Sequence, residues 1–159
     1  MLKKIFFLTI FTVFISTGSL SAEEKSLTSD KADLIVEKIV IKRVKQTPTE
    51  IFLEIAVTVK NTSSIPTKNS LTSEGKVKCP VGCFLVKVNG SYFFGDRAVL
   101  KQIYEDKCKP LSAGETASFT VGDVINRNMS KVSYTVTVDS QNWIKESNES
   151  NNEKSESLK

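Results

Sequence analysis

Residues 132–139 alternate without a break. Val132, Tyr134, Val136 and Val138 fall on one face, and Ser133, Thr135, Thr137 and Asp139 on the other. A period of two marks a β-strand with one buried and one wet face. The run 51–60 repeats the pattern, with Ile51, Leu53, Ile55, Val57 and Val59 set against Phe52, Glu54, Ala56, Thr58 and Lys60. Neither strand is stable alone, so the rest of the chain must supply sheets and a second layer to cover these apolar faces.

The remaining segments read as such partners. Residues 32–44 are dense in Ile and Val, and Glu37-Lys38 interrupts their alternation, which predicts a bulge or a change of sheet. Gln46-Thr47-Pro48-Thr49 is a turn, and 61–78 a long polar loop. Residues 83–88 form a short strand. Asn89-Gly90 then predicts a hairpin turn, since both residues tolerate positive φ, with 91–94 as the returning strand. The segment 96–109 fits either a short helix or an edge strand, because Val99 and Ile103 recur at helical spacing. Ala117, Phe119 and Val121 mark another strand, 124–130 a connection, and 153–159 a weak last edge. Six or seven short strands with turns between them predict an all-β, antiparallel, immunoglobulin-like sandwich of about seven strands.

The first residues belong elsewhere. Lys3 and Lys4 precede an apolar run over 5–15, then small residues ending at Ala22. This is the layout of a secretory signal peptide, cut after Ala22 or Ser21. The apolar run is shorter than the ~20 residues that span a bilayer. The expected organisation is a signal peptide over 1–22, a flexible lead-in over 23–31 and one sandwich domain over 32–159. The mature chain is then secreted or periplasmic and does not span a membrane. Without Lys3 and Lys4 the net charge falls from +4 to +2. So near a balance implies neither a nucleic-acid partner nor a membrane-surface one.

The chain contains no histidine. That removes the usual general base, the Ser–His and Cys–His nucleophile pairs and the commonest zinc ligand, and the chain reads as no enzyme. Cys79, Cys83 and Cys108 enter an oxidising space, and an odd count leaves one thiol over. Cys79 and Cys83 are spaced C-x₃-C, not the C-x₂-C of thiol oxidoreductases. Strand directions put all three near one pole. The expected bridge joins Cys108 to Cys79 or Cys83, closing a loop worth about 3–4 kcal/mol.

Four pieces then fall in order: Ala32-Asp33-Leu34-Ile35-Val36; Val57-Thr58-Val59-Lys60-Asn61; Pro110-Leu111-Ser112-Ala113-Gly114-Glu115; and Val138-Asp139, Asn142, Ile144, Glu146 and Asn148-Glu149-Ser150-Asn151-Asn152. This order resembles the CARDB domain, a cell-adhesion-related module of bacteria, over about residues 32–155. The resemblance implies an immunoglobulin- or fibronectin-like sandwich in an exported protein, and interaction in place of catalysis. The chain departs from the family pattern at 96–109, in its three cysteines and in having a single copy.

The candidate sites each have two readings. Asp139, Asn142, Glu146, Asn148, Glu149 and Asn151 supply hard oxygens of the kind calcium takes. The same residue types fix tight turns through their own backbone without an ion, and this reading is preferred; no cofactor is expected. Trp143 either packs against the end of the core beside Ile144 or contacts a partner. Tyr92 and Tyr104 are further contact candidates. The sequons at Asn61, Asn89, Asn128 and Asn148 read as chance. The expected function is binding a protein or cell-surface component. The rival is a thiol-redox or metal-linked envelope factor using the three cysteines.

Overall fold

The structure, a computed structural model, describes residues 30–68 and 81–159. The signal peptide, most of the lead-in and Cys79 lie outside the described residues. Seven strands and no helix make up the described chain: β1 (Leu34–Gln46), β2 (Glu50–Asn61), β3 (Phe84–Phe94), β4 (Arg97–Cys108), β5 (Thr116–Asn126), β6 (Met129–Val138) and β7 (Glu153–Ser157). They form two antiparallel sheets, β1-β2-β5 and β4-β3-β6-β7. The chain changes sheet between β2 and β3, β4 and β5, and β5 and β6, so the sheets are interleaved in sequence and cannot separate without unfolding.

The core lies where the two alternating runs meet. Leu53, Ile55, Val57 and Val59 of β2 share one buried cluster with Val132, Tyr134, Val136 and Val138 of β6. Both strands are central, with hydrogen-bonded neighbours on each side. That is why their alternation is the cleanest in the chain. The interruption at Glu37-Lys38 is a bulge, seen as a register shift between Val36 and Lys38.

Two expectations are corrected and one open choice is decided. Asn89-Gly90 is not a turn: β3 runs through it, and the hairpin into β4 closes at Gly95-Asp96, with Gly95 at φ 58°. Gly90 serves a close approach. A Cβ there would overlap the hydroxyl of Tyr92, whose ring folds back over the glycine. The segment 96–109 is an edge strand. Tyr104 pairs with Val88 and Gln102 with Asn89, leaving Ile103 as the extra residue of a bulge. Finally, β5 and β6 extend to Asn126 and from Met129, so the connection is only Arg127-Asn128.

The registers define two poles. One gathers the start of β1, the end of β2, the start of β3, the end of β4, the start of β5, the end of β6 and the start of β7. The other gathers the tips 43–50, 94–97 and 126–131.

Candidate functional site

The polar run after β6 builds the first pole. Asp139 takes a positive φ of 48° and turns the chain, with Asn142 at φ 54°. Its Oδ1 accepts from the Trp143 backbone N at 2.9 Å and its Oδ2 from the Ile144 N at 2.7 Å. Ile144 is thereby driven into the core with no exposed surface, while Trp143 stays half-buried at the rim. Glu146 is buried and accepts from the Leu34 N, and from Asn152 Nδ2 at 2.8 Å. Its own N donates to Glu149 Oε1 at 2.9 Å, and the Ser147 N donates to the Ala32 carbonyl at 2.9 Å. Asn148 accepts from the Ser150 N, and Asn151 donates to the Asp33 carboxylate. The run thus clamps the start of β1 to the end of β6.

Burial raises the Glu146 carboxyl to about 8, against the lowering effect of its Leu34 and Asn152 donors. Burial likewise raises Asp139, opposed by the N–H groups of Ile144 and Trp143. The structure brings Asp139, Glu146 and Glu149 within each other's electrostatic reach, but it leaves Asn142 and Asn148 exposed at the surface. Among the described residues no group of three acidic or thiol side chains is placed to hold a metal ion. The oxygens of Asp139 and Glu146 that a cation would need face N–H donors instead, which favours the turn reading of this motif.

A second pin at this pole was not foreseen. Asn61 is fully buried. Its Nδ2 reaches the carbonyls of Ile65 at 2.7 Å and Ser112 at 3.1 Å, and its Oδ1 accepts from Ser63 Oγ at 2.7 Å and the Asp33 N at 3.4 Å. Beside it Thr67 Oγ1 donates to the Gly82 carbonyl at 2.7 Å and accepts from the Leu111 N at 3.0 Å. The strand ending on an Asn was visible in sequence; its role was not.

Cys83 and Cys108 share this pole, since Phe84 pairs with Cys108; Cys79 lies outside the described residues. The expected Cys108 bridge is not formed, however. Cys108 is a free thiol, and Cys83 is buried and carries none. Register explains this: Cys108 sits opposite Phe84 on the inner face of β4, one residue out of step with Cys83. Burial raises the Cys108 thiol, the opposite of what a reactive thiolate needs. Cys108 lines a groove of about 230 Å³ between β4 and β5, together with Tyr104 and Phe119. Those two rings stack at 5.1 Å, so Tyr104 is committed on one face.

Tyr92, expected as a contact residue, is instead buried in the middle of the sandwich. Its hydroxyl donates to Asp123 Oδ2, as does that of Tyr134 at 2.9 Å, and Lys101 reaches Asp123 Oδ1 at 2.7 Å from β4. The rings of Tyr92 and Tyr134 meet edge to face at 6.0 Å. Two hydroxyls of one sheet therefore hold a carboxylate of the other. Burial, then the Asp123 carboxylate, pushes both phenols well above their usual range, so neither exchanges a proton near neutrality. The network is a strut across the core. A signal existed: Asp123 continues the inward alternation of Ala117, Phe119, Val121 and Ile125, and a carboxylate in that register needs a buried partner.

With this geometry established, the CARDB family model matches residues 31–156. The chain belongs to the CARDB family. No curated relative matches the chain. Among solved structures, the CARDB domain of a Pyrococcus furiosus protein, in complex with di-metal ions, is 20% identical, with 83% of this chain and 90% of that one covered and a TM-score of 0.54. A solution structure of that domain is 17% identical, covers 80% of this chain and 94% of its own, and has a TM-score of 0.42. The β-glucosidase 3B of Thermotoga neapolitana in complex with glucose is 14% identical over 79% of this chain and 16% of that one, with a TM-score of 0.41. At these identities the likeness is one of fold. A CARDB domain is a non-catalytic, adhesion-type module, and the placement of Cys108 lends no support to the cysteine-based rival.

Proposed function

We propose that this CARDB protein is exported through its N-terminal signal peptide and works as a binding module for a protein or cell-surface partner. The observation that supports it is the family match across nearly the whole mature chain. The polar clusters of the fold agree with it, because their buried members hold the backbone or the two sheets and present no reacting group to solvent. Recognition then falls to exposed edges and loop tips. Two measurements test this. The exported species should begin near residue 23 by intact mass. The mature chain should bind saturably to isolated envelopes of its own cell. Retention of the uncleaved chain inside the cell, or binding that never saturates, would overturn the reading.

A further inference from the structure

The near-neutral total charge conceals a separation between the poles. The tips 43–50, 94–97 and 126–131 carry Arg43, Lys45, Arg97, Arg127 and Lys131 against only Glu50 and Asp96. All seven side chains are exposed. None of the five cations is in an ion pair among the described residues; the described pairs are Lys60–Glu37, Lys101–Asp123 and Lys109–Glu115, all elsewhere. At the opposite pole the segments 30–33, 109–115 and 139–152 carry six acidic side chains against three lysines. Strand registers and the Arg127 N to Thr49 carbonyl bond at 2.9 Å place the cationic tips beside one another.

Aromatic rings are interleaved with these cations. Lys45 Nζ lies 5.5 Å from the centroid of Phe52, and Lys131 Nζ lies 4.9 Å from that of Phe93. Each ring limits the wandering of its ammonium and so lowers the ordering cost of binding an anion. Phe94, at the tip of the β3–β4 hairpin, is 54% exposed. Unpaired cations around an exposed ring match a polymer that alternates anionic groups with sugar faces.

Building on the binding-module reading, we infer that the 43–50, 94–97 and 126–131 pole docks an acidic polysaccharide, its carboxylate or phosphate groups on the cations and a sugar ring on Phe94. A bare lipid surface fits less well, since Phe94 is the single exposed aromatic at these tips and no amphipathic helix accompanies it among the described residues.

The test titrates the mature chain with polygalacturonate, with neutral dextran and with vesicles of phosphatidylglycerol and phosphatidylcholine. Polygalacturonate should bind, dextran should not, and raising NaCl from about 50 to about 200 mM should weaken binding roughly tenfold, as counterion release requires. The R97Q/R127Q/K131Q variant should lose at least about tenfold in affinity with an unchanged melting temperature, and F94A should lose a few-fold. K109Q/K145Q at the other pole should bind as the parent does. Equal binding by R97Q/R127Q/K131Q, or binding to vesicles without binding to polygalacturonate, overturns the inference. If the native envelope still retains R97Q/R127Q/K131Q fully, the docking pole is wrong and the module reading stands; if it retains neither protein, both fall.

Discussion

The two poles of the sandwich are held in different ways. At the first, side chains hold backbone: Asn61, Thr67, Asp139 and Glu146 are all buried, and each bonds main-chain groups of another segment or turn. At the second, the tips close mainly on themselves, as in the Thr47 N to Glu50 carbonyl bond at 2.8 Å and the Asn128 N to Asn126 Oδ1 bond at 2.9 Å. The lesson is that the family motif marks the pole where loops are long and need internal support. The short tips need none, so their side chains can vary in charge without loss of the fold.

The contrast breaks most readily at Asn61. Asn61→Ala strips the carbonyls of Ile65 and Ser112 of a buried donor, and Ser63 of its acceptor. The expected cost is roughly 3–4 kcal/mol, because several buried groups lose partners at once. In thermal melting that is a fall on the order of 10 °C. A fall of under about 3 °C would mean that the loop re-forms its bonds and the pole is not pinned there.

Gly90 is the next lever, and it tests the strut lying between the poles. Gly90→Ala places a methyl where the Tyr92 hydroxyl must pass to reach Asp123. The expected loss is about 2–3 kcal/mol from overpacking and a displaced hydrogen bond. Urea unfolding measures it. In the Gly90→Ala, Tyr92→Phe double variant the two losses should be less than additive, since both act on one contact. Full additivity would separate Gly90 from the strut.

How much of this was legible follows from which signals are local. Strand alternation at 51–60 and 132–138 is local and wrote itself into the sequence, as did the bulge at Glu37-Lys38. Asn89-Gly90 misled because the same dipeptide serves a tight turn and a close approach, and only the path of Tyr92 across the sandwich decides between them. At 96–109 the inward Lys101, drawn to Asp123, breaks the apolar alternation of the edge strand and left helix and strand both open. Asn61 and Asp123 were hidden for a different reason. Several of their partners lie far off in the chain, at 50 and 51 residues for Asn61 and 31 and 22 for Asp123, separations no pattern window spans. The cationic pole was invisible in the total charge because its charges come from three separate hairpins.

The carboxylates of the pinned pole carry a pH signature. Glu146 titrates at about 8 in the fold, against about 4.5 in its ordinary state, and Asp139 moves in the same direction. The folded state therefore holds protons that the unfolded chain has released, and stability falls as pH rises. The contribution is whole below about pH 4.5 and is lost progressively until about pH 8, where Glu146 is ionised in both states. Glu146→Gln should flatten this slope. The Asn152 Oδ1 has no hydrogen-bond partner in the parent, so a flipped Asn152 amide can accept from the new Gln amide and limit the cost to about 1 kcal/mol. Urea midpoints of both proteins between pH 5 and 8 decide it; parallel curves would assign the slope to other groups.

The smallest expected effect is that of calcium on the same pole. Asp139, Asn142, Glu146, Asn148, Glu149 and Asn151 have the chemistry of hard-cation ligands but not the placement. Asp139 offers its two oxygens to the Trp143 and Ile144 N–H groups, and Glu146 offers its two to Leu34 and Asn152. A cation that took those lone pairs would have to release backbone donors into a buried site, at roughly 1–3 kcal/mol each. Melting temperatures with millimolar calcium and with chelator should therefore agree within about 1 °C. Stabilisation by calcium that saturates with concentration would show that binding repays that cost. It would also turn the pinned pole from a clamp made of the chain alone into one completed by an ion.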